Sequence, residues 1–234
     1  MTRTTASVDP GSSSAATRDR LLEAAAQEFA EHGFKCATVR SICQRAGANV
    51  AAVNYHFGDK QQLYIATLQH WLGLAIQKYP PDMGVLPDAP PEERLLAFVR
   101  GFLFRMLGQG APAWHGQLMA REMVEPTGAL DTLAANILRP LSQKLEAILR
   151  DLLGPAATEE ALRHCTASVV GQCCFYRHCA PVLAKVYPQQ CYGEADLEQL
   201  ARHITRFSLE GLRAYTRPSA SGAAPTPGYR SSEK

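Results

Sequence analysis

The sequence predicts an all-α protein, with a three-helix unit near the N-terminus followed by a larger helical body. Apolar residues recur at helical spacing through most of the chain, and no alternating run of β-branched and aromatic residues indicates a strand. Hydrophobic residues make up 46% of the chain and charged residues 20%, which is the composition of a globular protein with a sizeable core.

The first 79 residues are expected to form four helices, spanning approximately residues 17–31, 38–45, 49–57 and 59–79. Thr38, Asn49 and Asp59 each stand where a helix begins, and these side chains accept hydrogen bonds from free N–H groups of a first turn. Gly33 and Gly58 stand where helices end, which is typical of C-terminal caps.

A proline-rich linker at residues 80–91 separates this unit from the body. The predicted body helices span approximately residues 92–108, 112–125, 128–153, 158–179 and 196–216. Pro140 should kink or split the third of them, while Pro181 and Pro188 bracket an irregular connection before the last. These patterns predict a head at residues 17–62 and a body at residues 63–216.

Both ends of the chain are expected to be disordered. Residues 1–16 are rich in Ser, Thr, Ala and Gly, and residues 217–234 have a similar composition. Residues 1–16 lack the apolar stretch of a secretory signal, and no window approaches the ~20 apolar residues of a membrane span. We therefore expect a cytoplasmic protein without membrane contact.

Residues 38–57, TVRSICQRAGANVAAVNYHF, have the pattern of a helix-turn-helix, because a glycine-bearing turn joins two short helices. Five apolar side chains can pack these helices together and onto the first helix: Val39, Ile42, Ala46, Val53 and Phe57.

The charge pattern of this motif indicates contact with a phosphate backbone. No acidic residue occurs from His32 to Gly58, whereas Lys35, Arg40 and Arg45 are basic. The formal net charge of the whole chain is only +2, so contact with nucleic acid depends on such local charge. The small residues at 51 and 52 would let the second helix lie deep in the major groove.

Residues 18–68 resemble the DNA-binding domain of the TetR family. Thr38 matches the cap of its second helix, residues 45–47 its R-A-G turn, residues 55–57 its aromatic-His-Phe end and residues 60–63 its Lys-x-x-Leu. The resemblance implies that Thr38 and Arg40 contact phosphate and that the helix from Asn49 reads bases. It also implies backbone contacts from the end of that helix, although Tyr55 could equally have a packing role. The candidate DNA contacts are Thr38, Arg40, Asn49, Val50, Ala51, Ala52, Asn54, Tyr55, His56 and Lys60.

Two departures from the family pattern concern the bases that are read. Residues 49–52 are Asn-Val-Ala-Ala where the family often has Ser-Lys-Gly-Thr, and Asn54 stands where a Tyr is common. These positions set the sequence that is read, so the operator cannot be transferred from other members of the family.

Three segments are similar to the CecR-like subgroup of this family. They are residues 49–64, NVAAVNYHFGDKQQLY, residues 121–130, REMVEPTGAL, and residues 137–141, ILRPL. The resemblance implies control of efflux or membrane-transport genes. It also implies that the body binds a small-molecule effector. No cofactor is expected.

Bulky side chains of the body are the candidates for that effector site, since pockets between helices are mostly apolar. The predicted ligand-binding residues are Phe98, Phe102, Met106, Trp114, Met119, Arg121, Met123, Phe175 and Tyr176. For each apolar residue, ordinary core packing is the alternative. Arg121 and Glu122 could orient a ligand, or could pair with each other or with surface neighbours.

The seven cysteines form no CxxC pair, so neither a disulfide framework nor a structural zinc site is expected. Four of them, at positions 165, 173, 174 and 179, lie on or beside one predicted helix with His164 and His178. Their spacing does not converge on four tetrahedral ligands, so no metal site is predicted. A cysteine-based sensor or enzyme remains an alternative function, although the common phosphate-loop, nucleophile-elbow and zinc-protease motifs are absent and no catalytic residue is predicted.

The function expected from these patterns is a ligand-responsive, homodimeric DNA-binding repressor. The helices at 158–179 and 196–216 should pair with their copies in a second subunit, with close approach allowed by small residues: Ala161, Ala167, Ser168 and Gly171. A helical adaptor that does not bind DNA is the other alternative.

Overall fold

The structure is a computed structural model that describes residues 10–108, 114–155, 157–190 and 192–216. These residues form helices and no strand, so the predicted all-α class is confirmed. The helices are α1 (Pro10–Cys36), α2 (Val39–Ala46), α3 (Val50–Phe57), α4 (Lys60–Lys78), α5 (Pro91–Leu107), α6 (Trp114–Val124), α7 (Ala129–Leu133), α8 (Arg139–Leu153), α9 (Glu159–His178), α10 (Ala180–Val186) and α11 (Glu194–Thr216). None of the helices within the described ranges combines the length and apolarity needed to cross a membrane.

The helix-turn-helix forms at the residues that the sequence predicts. Thr38 Oγ1 accepts a hydrogen bond from the Ser41 N–H at 3.0 Å, and Ser41 Oγ accepts one from the Thr38 N–H at 3.3 Å. Asn49 Oδ1 caps α3 by accepting from the Ala52 N–H at 2.8 Å. Between the two helices, Gly47 adopts the left-handed conformation (φ 59°), in which its N–H reaches carbonyls of the last turn of α2.

α1 begins at Pro10 rather than at the predicted Thr17, so residues 10–16 of the predicted N-terminal tail are helical. Proline suits the first turn of a helix because its φ is already fixed near the helical value and its missing N–H is not needed there. Residues 1–9 and the predicted tail at 217–234 lie outside the described residues. Gly33 interrupts α1 with φ 74° and ψ 168°, close to the predicted end of the first helix.

One hydrophobic core joins the head to the beginning of the body. Leu22 and Phe29 of α1 pack with Ile42 of α2, Val53 of α3 and Leu63 of α4. The same core includes three buried residues from α6 and α7: Leu118, Ala129 and Leu133. The predicted boundary at residue 62 is therefore bridged by continuous packing.

A second core holds the rest of the body together. Its buried side chains come from α5, α8, α9 and α11, including Leu103, Leu149, Val169 and Ile204. These four helices pack against one another, and α11 lies along α5.

Two prolines affect the body in different ways. Pro140 lies in the first turn of α8, and a π-helical turn at Ala134–Leu138 joins α7 to α8 with helical backbone throughout. The helix predicted over 128–153 therefore has an irregular turn just before Pro140 but is not split by a non-helical break. The irregular connection predicted between Pro181 and Pro188 is wrong, because residues 180–186 form α10. Pro181 lies in the first turn of that helix, where a missing N–H breaks no helical hydrogen bond.

Candidate nucleic-acid interface

α3 has one face in the core of the head and one face in solvent. Val53 is fully buried and fixes the helix against α1, α2 and α4, while Ala52 is partly buried beside it. The opposite face exposes five predicted contact residues: Asn49, Val50, Ala51, Asn54 and Tyr55. An eight-residue helix with this exposed face has the size and shape that enter a major groove.

The Tyr55 side chain is 81% exposed, which contradicts the packing role that the sequence left open for it. Its ring meets the neighbouring His56 ring edge-to-face, with centroids 4.9 Å apart, and it does not belong to either hydrophobic core. A packing role is therefore wrong, and the Tyr55 ring is available for contact outside the protein.

The exposed cations of the head are distributed differently from the sequence expectation. Arg45 is paired with α1: its Nη2 lies 2.7 Å from Glu31 Oε2 and 3.2 Å from Glu28 Oε2. The hydrogen bond from Arg45 lowers the pKa of Glu31, so this pair stays ionised at neutral pH. Arg45 consequently serves to fix α2 on α1 rather than to attract phosphate.

Lys35 at the end of α1, Thr38, and Arg40 of α2 are exposed to solvent. Lys60 is partly buried, because its ammonium lies 4.8 Å from the centre of the Phe34 ring and donates to the Lys35 carbonyl at 3.2 Å. The exposed cations of the head thus include Lys35, Arg40 and Arg18, whose guanidinium lies 5.5 Å from the centre of the Phe57 ring at the end of α3.

Glu28, Glu31 and His32 bring their ligand atoms within 4.8 Å of one another, a spacing that a metal ion could bridge. The Arg45 guanidinium, however, already binds both carboxylates, and the Ser41 hydroxyl donates to Glu28 at 2.6 Å. These hydrogen bonds fit an ion-pair cluster that locks α2 onto α1.

The REMVEPT segment connects the body to the head, and the sequence did not reveal how. Arg121 Nη2 donates to the Glu31 carbonyl of α1 at 3.2 Å. The neighbouring Glu122 is fully buried and accepts a hydrogen bond from the Tyr64 hydroxyl of α4 at 2.9 Å. Thr127 donates to the same carboxylate through its N–H at 2.8 Å and its hydroxyl at 3.0 Å. The α6 terminus is therefore bonded to both α1 and α4.

These contacts correct the interpretation of the α6 candidates for effector binding. Arg121 faces the head, and Glu122 neither pairs with Arg121 nor lies at the surface. Met119 packs against the core of the head, and Met123 is exposed to solvent. The side chain of Trp114 lies outside the described residues.

The predicted effector-binding residues on α5 and α9 also lie in different places, some in the body core and others at a surface groove. Phe98 is buried in the body core, with Phe102 packed against it and Met106 partly buried one turn further on. Phe175 is 49% exposed and lines, with Tyr176, a groove of about 330 Å³ between α9 and α11. The eight predicted side chains that the structure describes are therefore not brought together in one pocket.

Arg105 is a residue of interest that the sequence reasoning missed. Its Nη1 donates to the Tyr79 carbonyl, just beyond the end of α4, at 2.6 Å. Its Nη2 is shielded from solvent and has no hydrogen-bond partner. Burial lowers the pKa of this guanidinium to about 10. A signal was present, because Arg105 follows Phe98 by seven positions and so lies on the apolar face of α5.

Two family profiles match the chain. Residues 21–67 match bacterial regulatory proteins of the tetR family, and residues 91–212 match the C-terminal domain of the HTH-type transcriptional dual regulator CecR. Together they cover the helix-turn-helix and nearly all of the described body.

Curated relatives and solved structures agree with these matches. The dual regulator CecR of Shigella flexneri is 26% identical over 68% of this chain and 75% of its own length. The repressor NicS of Pseudomonas putida is 25% identical over 84% of this chain and 92% of its own. A crystal structure of a transcriptional regulator from Rhodococcus sp. Rha1 shares the fold with a TM-score of 0.60 at 22% identity, over 83% of this chain and 96% of that one.

Proposed function

Since the chain belongs to the TetR family of transcriptional regulators and carries a CecR-type C-terminal domain, we propose that it is a dimeric repressor of a pseudo-palindromic operator. The protein is a ligand-responsive DNA-binding regulator. We infer in addition that it represses transcription, that it acts as a dimer and that its operator is a pseudo-palindrome. Its site of action is the cytoplasm, where operator DNA is found. Control of efflux or transport genes, implied by the CecR-like resemblance, belongs to the same proposal.

The observation that carries the proposal is the exposed face of α3. Asn54 and Tyr55 project from a helix whose other face is fixed by Val53, so their positions are set before DNA arrives. Lys35 and Arg40 are exposed on the head, Arg18 lies against the last residue of α3, and the sequence from 33 to 57 has no carboxylate to repel phosphate. Base contacts from α3 and phosphate contacts from its flanks together account for sequence-specific binding.

Two features support a dimer. The exposed faces of α9 and α11 include Phe175 and Phe207, which are 49% and 65% exposed. Ala167, Ser168 and Gly171 are also exposed on α9, so another helix could approach closely. A second copy of the chain would cover these faces and would place two α3 helices on one DNA duplex.

The bonds around α6 support a route from the effector to DNA. A movement of α6 would act on α1 through Arg121 and on α4 through Glu122 and Tyr64. Both helices pack directly on the helix-turn-helix. An effector that binds one arrangement of α6 more tightly would shift the spacing of the two α3 helices, with a coupling of about 1–3 kcal/mol.

The proposal is tested by selecting bound sequences from random duplex DNA with the full-length protein at near-physiological salt. We expect a pseudo-palindrome, whose recovery is lost in the Asn54→Ala and Tyr55→Ala variants. The control is Tyr187→Ala, which removes an exposed tyrosine remote from α3 and should leave the selected motif unchanged. If no motif is selected and binding fades uniformly with salt, the protein attracts DNA only non-specifically and the proposal is wrong.

A further inference from the structure

Arg105 differs from the other arginines of its helix in having no carboxylate partner. On α5, Arg94 is paired with Asp151 and Arg100 with Glu198. Arg105 forms no ion pair with any carboxylate of the described residues, and its bond to the Tyr79 carbonyl is to a neutral acceptor. The adjoining residues 109–113, QGAPA, contain no acid that could serve as a counterion.

An uncompensated cation is expensive to bury, because the loss of hydration is not repaid by an opposite charge. The pKa of Arg105 falls to about 10, chiefly through this desolvation, which is the direction expected for a cation that lacks an anion. Native proteins leave few buried polar groups without a partner, and each of them needs an explanation, such as a water, an ion or a functional role. The unpartnered Nη2 of Arg105 is such a group. The guanidinium groups of Arg94 and Arg100 also have a buried Nε without a partner, but each of these two arginines is neutralised by a carboxylate.

The surroundings of Arg105 are aromatic and apolar. Its guanidinium lies 5.7 Å from the centre of the Phe102 ring. Cys173 of α9 is buried in the hydrophobic core that α5 and α9 share, and Phe102 and Tyr176 pack against the same core. The Tyr176 ring meets the Tyr192 ring at 6.2 Å, and the Tyr192 hydroxyl is a second buried group without a hydrogen-bond partner.

We propose that Arg105 is the anchor of the effector site and that the effector is a small organic acid, with a carboxylate head and an apolar body. The carboxylate would accept a charge-assisted hydrogen bond from Nη2, and the apolar body would pack on the aromatic residues between α5 and α9. This proposal rests on the ligand response described above and names the class of ligand.

The position of Arg105 also links such a ligand to the head. Nη2 is shielded from solvent, so a carboxylate would reach it only if segments packed around Arg105 separate, and the segment after α4 is one of them because Nη1 donates to the Tyr79 carbonyl. Gly101 shows how close that packing is, since a Cβ there would lie 2.6 Å from the Pro80 carbonyl. The ligand would therefore loosen the bond between Arg105 and the Tyr79 carbonyl, and Tyr79 directly follows the helix that supports α3.

The test is calorimetric titration of the full-length protein with octanoate and benzoate, each compared with its neutral amide at constant ionic strength. We expect at least one acid to bind at least tenfold more tightly than its amide. Arg105→Gln should weaken that binding at least tenfold, and Arg105→Lys should restore part of it because it keeps the charge but loses the planar fork. Arg100→Gln, which removes a paired cation from the same helix, should bind the acid as the native protein does.

The proposal is overturned if neither acid binds, if the amides bind equally well, or if Arg105→Gln binds like the native protein. Arg105→Gln is compared only if its circular dichroism melt shows a folded protein. If it does not fold, Arg105→Lys and Arg105→Met are compared instead, and equal binding of the acid by these two variants also overturns the proposal. DNA selection without any acid separates this proposal from the proposed function. A palindrome recovered with Arg105→Gln supports the repressor even where the acid fails to bind.

Discussion

At the scale of single residues, the cysteines differ in reactivity because they differ in burial. Cys36 is exposed at the end of α1, whereas Cys173 is buried between α5 and α9. Burial raises the pKa of Cys173 to about 12 and also raises the pKa of Cys174. The thiolate is the reactive form, so the α9 thiols are poor candidates for the cysteine-based sensor or enzyme that the sequence left open.

Iodoacetamide at pH 8 should therefore alkylate Cys36 in the native protein and leave Cys173 unmodified. A pKa near 12 leaves on the order of one thiol in ten thousand ionised at that pH, and the ionised fraction rises only as the pH approaches the pKa. Mass spectrometry of the digested protein measures both sites, and guanidinium-unfolded protein is the control in which both react. If native Cys173 is labelled as fast as Cys36, its thiol is accessible and ionised, and a cysteine-based sensor again becomes a candidate function.

The residues that sequence reasoning located are those whose partners lie nearby in the chain. Thr38 and Asn49 cap helices by bonding three positions ahead, so the local pattern is sufficient to predict them. Arg121 bonds to a carbonyl 90 positions away, and Glu122 to a hydroxyl 58 positions away. Only the folded chain brings these groups together, so the sequence left ligand and surface roles open for both. Arg121 is exposed and bonds to a neighbour at the surface, whereas Glu122 is buried.

At the scale of elements, two glycines at helix ends have different backbone conformations, and only one of them is nearly inaccessible to other residues. Gly47, between α2 and α3, has φ 59° and ψ 41°, a left-handed conformation that other residues reach at moderate cost. Gly33, where α1 meets Arg121, has φ 74° and ψ 168°, a conformation almost restricted to glycine.

Gly33→Ala should lower the free energy of unfolding by about 2–3 kcal/mol, because its backbone conformation is forbidden to alanine. An added Cβ would also lie 2.9 Å from Arg121 Nη1 and disturb the contact between α6 and α1. Gly47→Ala is the matched control and should lower it by only about 1 kcal/mol, since no atom lies within 4 Å of its added Cβ. Urea unfolding measures both, and equal losses would show that the conformation of Gly33 is not required.

Helix positions were more predictable than the breaks between helices. The spacing of apolar residues and the capping side chains located α2, α3 and α4 closely, since both signals are local. Pro181 was interpreted as part of an irregular connection, although a proline in a first turn is compatible with a helix, and α10 begins there. A proline alone thus indicates where a helix cannot continue, without showing whether a new one starts.

At the scale of the whole molecule, the shared core makes the head and the body mechanically dependent. Leu118 and Leu133 of the body are buried among residues of α1 and α4, so α6 and α7 cannot move without repacking the head. The effector site proposed at Arg105 lies on the other side of α4, at its C-terminal end. The long helix α4 therefore meets the body at both of its ends, which suits the transmission of a conformational change.

The exposed faces of α9 and α11 are the proposed dimer interface, and a charged substitution there tests whether the protein dimerises through them. Phe207→Glu places a charge in the middle of the proposed interface, where pairing with a second copy would bury it without a partner. Sedimentation should show a monomer at concentrations where the native protein is a dimer. Operator affinity should fall at least a hundredfold, because a single α3 reads only half of a palindrome.

Leu86→Glu is the matched control for this variant, since Leu86 is an equally exposed apolar residue that lies in the linker rather than on α9 or α11. It should leave both the dimer and the operator affinity unchanged. A Phe207→Glu protein that remains dimeric would place the interface elsewhere on the surface. Loss of DNA binding in a persistent dimer would instead implicate α11 in positioning the two heads, so sedimentation and operator binding must be measured on the same preparation.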